Sequence, residues 1–235
     1  MDRRSHSPMT IKAILFDIDG TLVDSNEQHI RSWIDAFRTL GHEFDHATVH
    51  AQIGKGGDNL VPSLLPDVTD EEKKQLSDAA GEAFKLRYRS QVRPFRGARE
   101  LIHRAYQDGK LIVLASSASR EELDYWVELL DVAPRLTATT SRDEVQHSKP
   151  APDIFLAALD KVAPVQPHEA VVIGDTPYDL SAARKNAIPA IAVRSGGFPD
   201  DVMRSLHPVA IYDHVQALLA AYESSPLAEA ALTPP

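Results

Sequence analysis

Five short apolar runs recur along the chain: residues 13–16 (AILF), 111–115 (LIVLA), 170–173 (AVVI), 188–193 (IPAIAV) and 209–212 (VAIY). None alternates with polar residues, so each reads as a strand buried on both faces. Segments with apolar spacings of three and four residues lie among them, at 98–107, 121–130, 153–162, 180–186 and 200–206. Such spacing is helical. Strands alternating with helices build a parallel sheet covered on both sides, because each parallel neighbour needs a long crossover. The predicted fold class is α/β, with a Rossmann-like parallel sheet as its core.

One region breaks the alternation. From Asn26 to about Arg93 only helical periodicity appears: Ile30, Trp33, Ile34, Phe37 and Leu40 form one apolar stripe, and Leu76, Ala79, Ala80, Ala83 and Phe84 another. An all-helical module is thus inserted after the first strand. Gly41 is placed to end its first helix, residues 54–57 make a turn within it, and residues 92–97 return the chain to the core. The expected division is a Rossmann-like core at 10–24 and 94–222, a helical cap at 25–93, and flexible tails at 1–9 and 223–235. The C-terminal segment SSPLAEAALTPP is small, proline-bearing and without pattern.

Composition limits what such a fold can do. A chain of 235 residues with 43% hydrophobic content can bury a substantial core. Its formal charge of −9 argues against a nucleic-acid or anionic-membrane surface. There are no cysteines, which excludes disulfides and thiol catalysis and fits a reducing, cytoplasmic setting. No stretch has the length of a membrane span, and Lys12 and Asp17 interrupt the segment that follows MDRRSHSPMT, so it does not read as a secretory signal.

The first apolar run leads directly into FDIDGTLVDS, which holds Asp17, Asp19 and Asp24. In open parallel sheets, ligands bind beyond the carboxyl ends of the strands. Along an extended chain, residues two apart point the same way, so Asp17 and Asp19 face one spot. Like charges that close need a cation or a shared proton. A solvated Asp-Gly turn is the bland alternative. The run at 170–173 delivers Asp175 to the same sheet edge. An oxygen-only set of carboxylates suits Mg2+.

Other strand ends add groups that bind anions. Residues 111–115 lead to Ser116 and Ser117, in a strand-to-helix loop where hydroxyls and free N–H groups collect. Ser119-x-x-Glu122 behind them reads as a capping box. Lys149, ahead of two prolines and a helix start, occupies the equivalent loop. Thr176, Pro177 and Asp179 form a second capping box, and a role for Asp179 behind the metal ligands is compatible with it. Two motifs are decoys. HEFDH at 42–46 matches a zinc-protease pattern but follows Gly41 in a polar stretch, and GKGGD at 54–58 lacks the spacing of a nucleotide-binding phosphate loop.

With DIDGT at 17–21, Ser116, Lys149 and GDTPYD at 174–179 in this order, each behind a predicted strand, the chain resembles the haloacid dehalogenase superfamily, in its phosphatase branch. The helical insert resembles the cap of phosphoglycolate phosphatase-like and β-phosphoglucomutase-like members. The resemblance implies Asp17 as nucleophile and Asp19 as acid and base, with Mg2+ held by Asp17, Asp175 and the Asp19 carbonyl. It implies Ser116, Ser117, Lys149 and the backbone of Gly20 and Thr21 as the phosphate site, and His29 and Lys55 as cap residues facing substrate. The implied function is Mg2+-dependent hydrolysis of a small phosphorylated metabolite, phosphoglycolate or a sugar phosphate. Alternatives are a phosphosugar mutase and, less favoured because it needs no Asp19, a metal-independent dehalogenase. The oligomeric state is not legible in the sequence.

Overall fold

The computed structural model of the protein describes residues 10–228. Its strands are β1 (Ala13–Phe16), β2 (Leu111–Ala115), β3 (Ala138–Thr140), β4 (Ala170–Gly174), β5 (Ala190–Val193) and β6 (Ala210–Tyr212). They form one parallel sheet in the order β3-β2-β1-β4-β5-β6. β1 is central, and its register sets Phe16 beside Leu114 of β2 and Ile173 of β4. Three strands therefore deliver their next residues to a single edge, where the strand order reverses and a crevice forms.

Between β1 and β2 the chain is helical: α1 (Asn26–Thr39), α2 (His46–His50), α3 (Gly57–Leu64) and α4 (Asp70–Ala83). The two predicted stripes meet in a small core of Ile30 and Phe37 from α1, Leu60 from α3 and Leu76 from α4. Leu40 caps α1 and Gly41 follows with a φ of 79°, the left-handed turn expected of it. α4 continues into a wider π-helical turn, Phe84–Tyr88. That turn carries Phe84 out of the helical cluster and into the sheet's own core, against Trp126.

The remaining helices are α5 (Ala98–Gln107), α6 (Arg120–Leu130), α7 (Asp153–Asp160), α8 (Pro177–Lys185), α9 (Asp200–Ser205) and α10 (Val215–Ala220). They divide between the faces of the sheet. Ile14, Phe16, Ile112, Leu114, Val171 and Ile173 pack with residues of α5, α6 and α10, whereas Leu15, Val113 and Val172 pack with those of α7, α8 and α9. Both sets are fully buried, as continuous apolar runs require.

Three features differ from the sequence expectation. β3 has no apolar run, being a half-buried edge strand of alanine and threonine. β6 is also an edge strand, and its residues are only half-buried rather than covered on both faces. Residues 223–228, expected to belong to a flexible C-terminal tail, are packed instead: Leu227 is buried in the main core and Ser225 Oγ donates to Tyr222 O. Residues 1–9 and the end of the expected tail, 229–235, lie outside the described residues.

Candidate active site

Asp17 is the first residue past β1, and its N–H still donates to Ile173 O at 2.9 Å. The side chain is buried, with one oxygen against the Lys149 ammonium and the other accepting from Thr21 Oγ1 at 3.0 Å. Thr21 Oγ1 also lies 3.0 Å from Asp175 Oδ1, yet a hydroxyl has one proton to give. Asp175 Oδ2 accepts from Asn26 Nδ2 at 2.9 Å. Burial pushes Asp17 up to about 7 against the pull of Lys149, and burial with the charges of Asp17 and Asp179 pushes Asp175 well above the carboxylate range. Two buried carboxylates joined through a single hydroxyl are under-compensated. Gly20 makes the approach possible: its φ is 76°, and a side chain there would collide with Asp175 and Asn26.

Lys149 is buried and its ammonium lies 2.6 Å from Asp179 Oδ1 as well as on Asp17. Burial works against its charge, but those two carboxylates more than offset it and raise its pKa. Asp179 in turn closes the predicted capping box of α8, its Oδ2 accepting from Thr176 N and Oγ1 at 3.0 and 2.7 Å. Capping and holding Lys149 use different oxygens of one carboxylate, so both readings of Asp179 coexist.

Asp19 faces the same space. Its Oδ1 accepts from Ser25 Oγ at 2.7 Å and meets His29 Nε2 at 3.1 Å, and its Oδ2 accepts from Ser116 Oγ at 3.3 Å. Burial alone would raise its pKa; the charge and hydrogen bond of His29, with Ser25, bring it below the ordinary value. Burial would likewise depress His29, but Asp19 and Glu122 raise it. The imidazole stacks on Phe84, ring centroids 3.9 Å apart. Ser117 Oγ is buried without a hydrogen-bond partner.

Asp17, Asp19, Asn26, His29, Ser117 and Lys149 line a cavity of about 680 Å³ between the sheet edge and the helical segment, and Thr21, Ser116, Asp175 and Asp179 stand directly behind them. Polar contacts join its two walls. Ser148, one residue before Lys149, accepts at Oγ from Gly56 N at 2.9 Å, receives Asn59 Nδ2 on its carbonyl at 3.0 Å, and donates its N–H to Asp58 at 3.0 Å.

The structure gathers Asp17, Asp19, Thr21, Ser116, Lys149, Asp175, Asp179 and His29 around one cavity. Lys55 lines it too, but its ammonium bonds Gln52 Oε1 at 2.6 Å and Ser63 Oγ at 2.9 Å and sits over the Tyr178 ring, away from the core carboxylates. Ser25, Asn26 and Glu122 were not foreseen. Ser25 precedes α1 and Asn26 opens it, and nothing in the local pattern sets them apart from an ordinary helix start. Glu122 was read as the partner in a capping box, but only half of that box forms: Ser119 Oγ accepts from Glu122 N, and the Glu122 carboxylate lies instead 3.4 Å from His29. The HEFDH decoy is broken apart, His42 in a loop and His46 opening α2 on Glu27.

Buried carboxylate oxygens of Asp17, Asp175 and Asp179 lie within 4.8 Å of one another. Lys149 neutralises the Asp17 and Asp179 side of this group, while the Asp17 and Asp175 side has only the shared Thr21 proton and the Asn26 amide. A hard divalent cation fits that side: the donors are all oxygen, and a bound charge would relieve both raised carboxyls.

Comparisons with known proteins agree with this geometry. The sequence profile described as haloacid dehalogenase-like hydrolase matches residues 14–193. A putative pyrophosphatase PpaX of Caldanaerobacter subterraneus is 25% identical over 85% of this chain and 89% of that protein. A phosphoglycolate phosphatase of Nitrosospira multiformis is 30% identical over 76% of this chain and 81% of its own length. The solved structure of a hydrolase from Pseudomonas syringae superposes with a TM-score of 0.84 at 27% identity, over 91% of this chain and 98% of that one. The chain belongs to the haloacid dehalogenase-like hydrolase family.

Proposed function

We propose that this chain is a Mg2+-dependent phosphatase that hydrolyses the phosphomonoester of a small metabolite through an aspartyl-phosphate intermediate. One observation carries the reading: Asp17, just past β1, lies between Lys149 and Asp175, while Asp19, two residues on, faces the same cavity in the grip of His29 and Ser25.

Asp17 attacks phosphorus through a carboxylate oxygen, and the bond from phosphorus to the leaving alcohol oxygen breaks. Asp19 gives that oxygen its proton. Because His29 holds the Asp19 carboxyl below its ordinary pKa, the delivered proton is shared with His29 Nε2 at 3.1 Å. Water then attacks the phosphorus while Asp19 takes its proton, and the bond to Asp17 breaks, releasing inorganic phosphate and the free carboxylate. Lys149, Ser116, Ser117 and the backbone of Gly20 and Thr21 hold the phosphoryl oxygens. Asp179 keeps Lys149 aimed. Asp17, Asp175 and the carbonyl of Asp19 would hold Mg2+, which when bound supplies the positive charge that lets an anionic nucleophile approach an anionic phosphoryl group.

The division into a core at 10–24 and 94–222 and a lid at 25–93 belongs to the same reading, with the Ser148 contacts as the closed latch that excludes water. Lys55 contributes to the lid wall rather than to the phosphate. We place the protein in the cytoplasm, acting on a diffusible substrate, and among the described residues no helix is long and apolar enough to cross a membrane. A mutase must hold a second phosphate, and the turn KGGDNL at 55–60 has no arginine for it.

The test is phosphate release from a panel of phosphomonoesters with and without Mg2+, beside the Asp17→Asn variant. Release should need Mg2+ and vanish in the variant; near-native release by Asp17→Asn would overturn the mechanism. Rapid isomerisation of β-glucose 1-phosphate with negligible phosphate release would establish the mutase instead.

A further inference from the structure

We propose that Glu122 is a substrate-recognising residue that selects leaving groups bearing hydrogen-bond donors, those of polyol or sugar monophosphates, over carboxylated ones such as phosphoglycolate. The inference rests on the phosphatase reading and narrows its substrate class.

Glu122 stands at the third position of α6, where its side chain would ordinarily reach back to cap the helix. It gives up that bond and turns into the cavity beside His29. His29 Nε2 is 3.1 Å from Asp19 Oδ1 and 3.4 Å from Glu122 Oε1, and its single proton goes to the nearer, better-aligned oxygen. Glu122 Oε1 is left buried with no hydrogen-bond partner. An unpaired buried acceptor is costly unless a ligand supplies the donor. Glu122 is joined through His29 to Asp19, where the leaving oxygen must be protonated, so the missing donor belongs on the leaving group. Hydroxyls, which donate, fill that need; a carboxylate, which only accepts, does not.

The cations of the cavity wall are held by other groups. Lys85 and Arg89 both meet Glu121, at 2.7 and 3.4 Å, and Arg89 also lies over the Tyr125 ring. Arg142 sits 3.6 Å from Asp58, and Lys55 is bonded to Gln52 and Ser63. A carboxylate on the leaving group beside Asp19 would meet Glu122. The cavity, about 680 Å³, also has room for more than a two-carbon acid.

The experiment measures kcat/KM of the full chain with Mg2+ for glucose 6-phosphate, erythritol 4-phosphate, phosphoglycolate and p-nitrophenyl phosphate, in wild type, Glu122→Gln and Glu122→Ala. The nitrophenyl ester, with neither hydroxyl nor carboxylate, reports the phosphatase machinery by itself. Wild type should favour the better hydroxylated ester over phosphoglycolate by tenfold or more. Glu122→Ala should lose about ten- to a hundredfold more on that ester than on nitrophenyl phosphate, the worth of a hydrogen bond to a charged group. Glu122→Gln keeps the volume and one acceptor, and should lose less. Equal losses on the hydroxylated and nitrophenyl esters, or a wild-type preference for phosphoglycolate, would overturn the role of Glu122 while leaving the phosphatase standing. No phosphate release from any ester, the nitrophenyl one included, would overturn the phosphatase reading and this inference with it. A melting curve for each variant separates lost contact from lost fold.

Discussion

Replacing Lys149 with methionine probes the balance of charge on which the site depends. The ammonium is fully buried between Asp17 and Asp179, and methionine fills its space without its charge. Removing one partner of a buried ion pair typically costs about 3–5 kcal/mol, because the other charge stays buried and unpaired. For a chain of this size each kcal/mol shifts the melting temperature by about 2–4 °C, so the variant should melt roughly 6–20 °C below wild type. The deficit depends on pH. A carboxyl whose folded pKa is raised contributes its full stability below the unfolded value, 3.8, and loses it as pH rises through the folded one, about 7 for Asp17 in the wild type. Removing Lys149 moves that upper limit higher. The gap between variant and wild type should therefore widen above pH 7 and narrow below it, and Mg2+ should restore part of it at pH 8.5. Thermal melts followed by circular dichroism at pH 5.5, 7 and 8.5, with and without Mg2+, measure this. A deficit that is the same at all three pH values would show that Lys149 contributes packing rather than charge, and would refute the reasoning.

Three further outcomes follow from named contacts. Asp19→Ala should cost about a hundredfold more kcat on a sugar phosphate than on p-nitrophenyl phosphate, since an alkoxide needs its proton and a nitrophenolate does not; equal losses would remove Asp19 from the acid's role. Mg2+ binding, followed by calorimetry, should weaken below pH 7 by up to about tenfold per pH unit for each proton displaced from Asp17 or Asp175, and a pH-independent affinity would mean that those carboxyls do not hold the ion. Asn59→Ala, which deletes the amide on Ser148, should lower kcat/KM about fivefold, as one neutral hydrogen bond of roughly 1 kcal/mol predicts; an unchanged value would count against the latch.

What was legible in the sequence is what local pattern encodes. Continuous apolar runs marked β1, β2, β4 and β5, and the polar residues directly behind them marked Asp17, Ser116 and Asp175. β3 escaped because a half-buried edge strand needs no apolar run, and its Thr140 gains burial only from the tertiary fold. Leu227 escaped for a related reason: one side chain in a small, proline-bearing segment makes no period, yet it fills a place in the core. Glu122 is the instructive case. Ser-x-x-Glu is a correct sign of a helix start, and Ser119 does cap α6, but the pattern does not say where the glutamate's own carboxylate goes. His29, brought by another helix, decides that.

The same dependence on a second element governs the reacting groups. Asn26 and His29 stand three residues apart at the start of α1, hence on one face of its first turn. From that face Asn26 reaches Asp175 at 2.9 Å and His29 reaches Asp19 at 3.1 Å. One helical turn thus touches a carboxylate of the proposed metal site and the proposed acid together. Good hydrogen-bond geometry spans only a few tenths of an ångström, so a tilt of α1 by about an ångström would break the two at once. Phe84, stacked under His29 and wedged against Trp126, opposes such a tilt by tying the helical segment into the sheet's core. The sheet positions the proposed nucleophile, and the helical segment completes the proposed acid and the proposed metal site as a pair. A substitution that loosens Phe84 would therefore impair Asp19 and Asp175 jointly, although it touches neither.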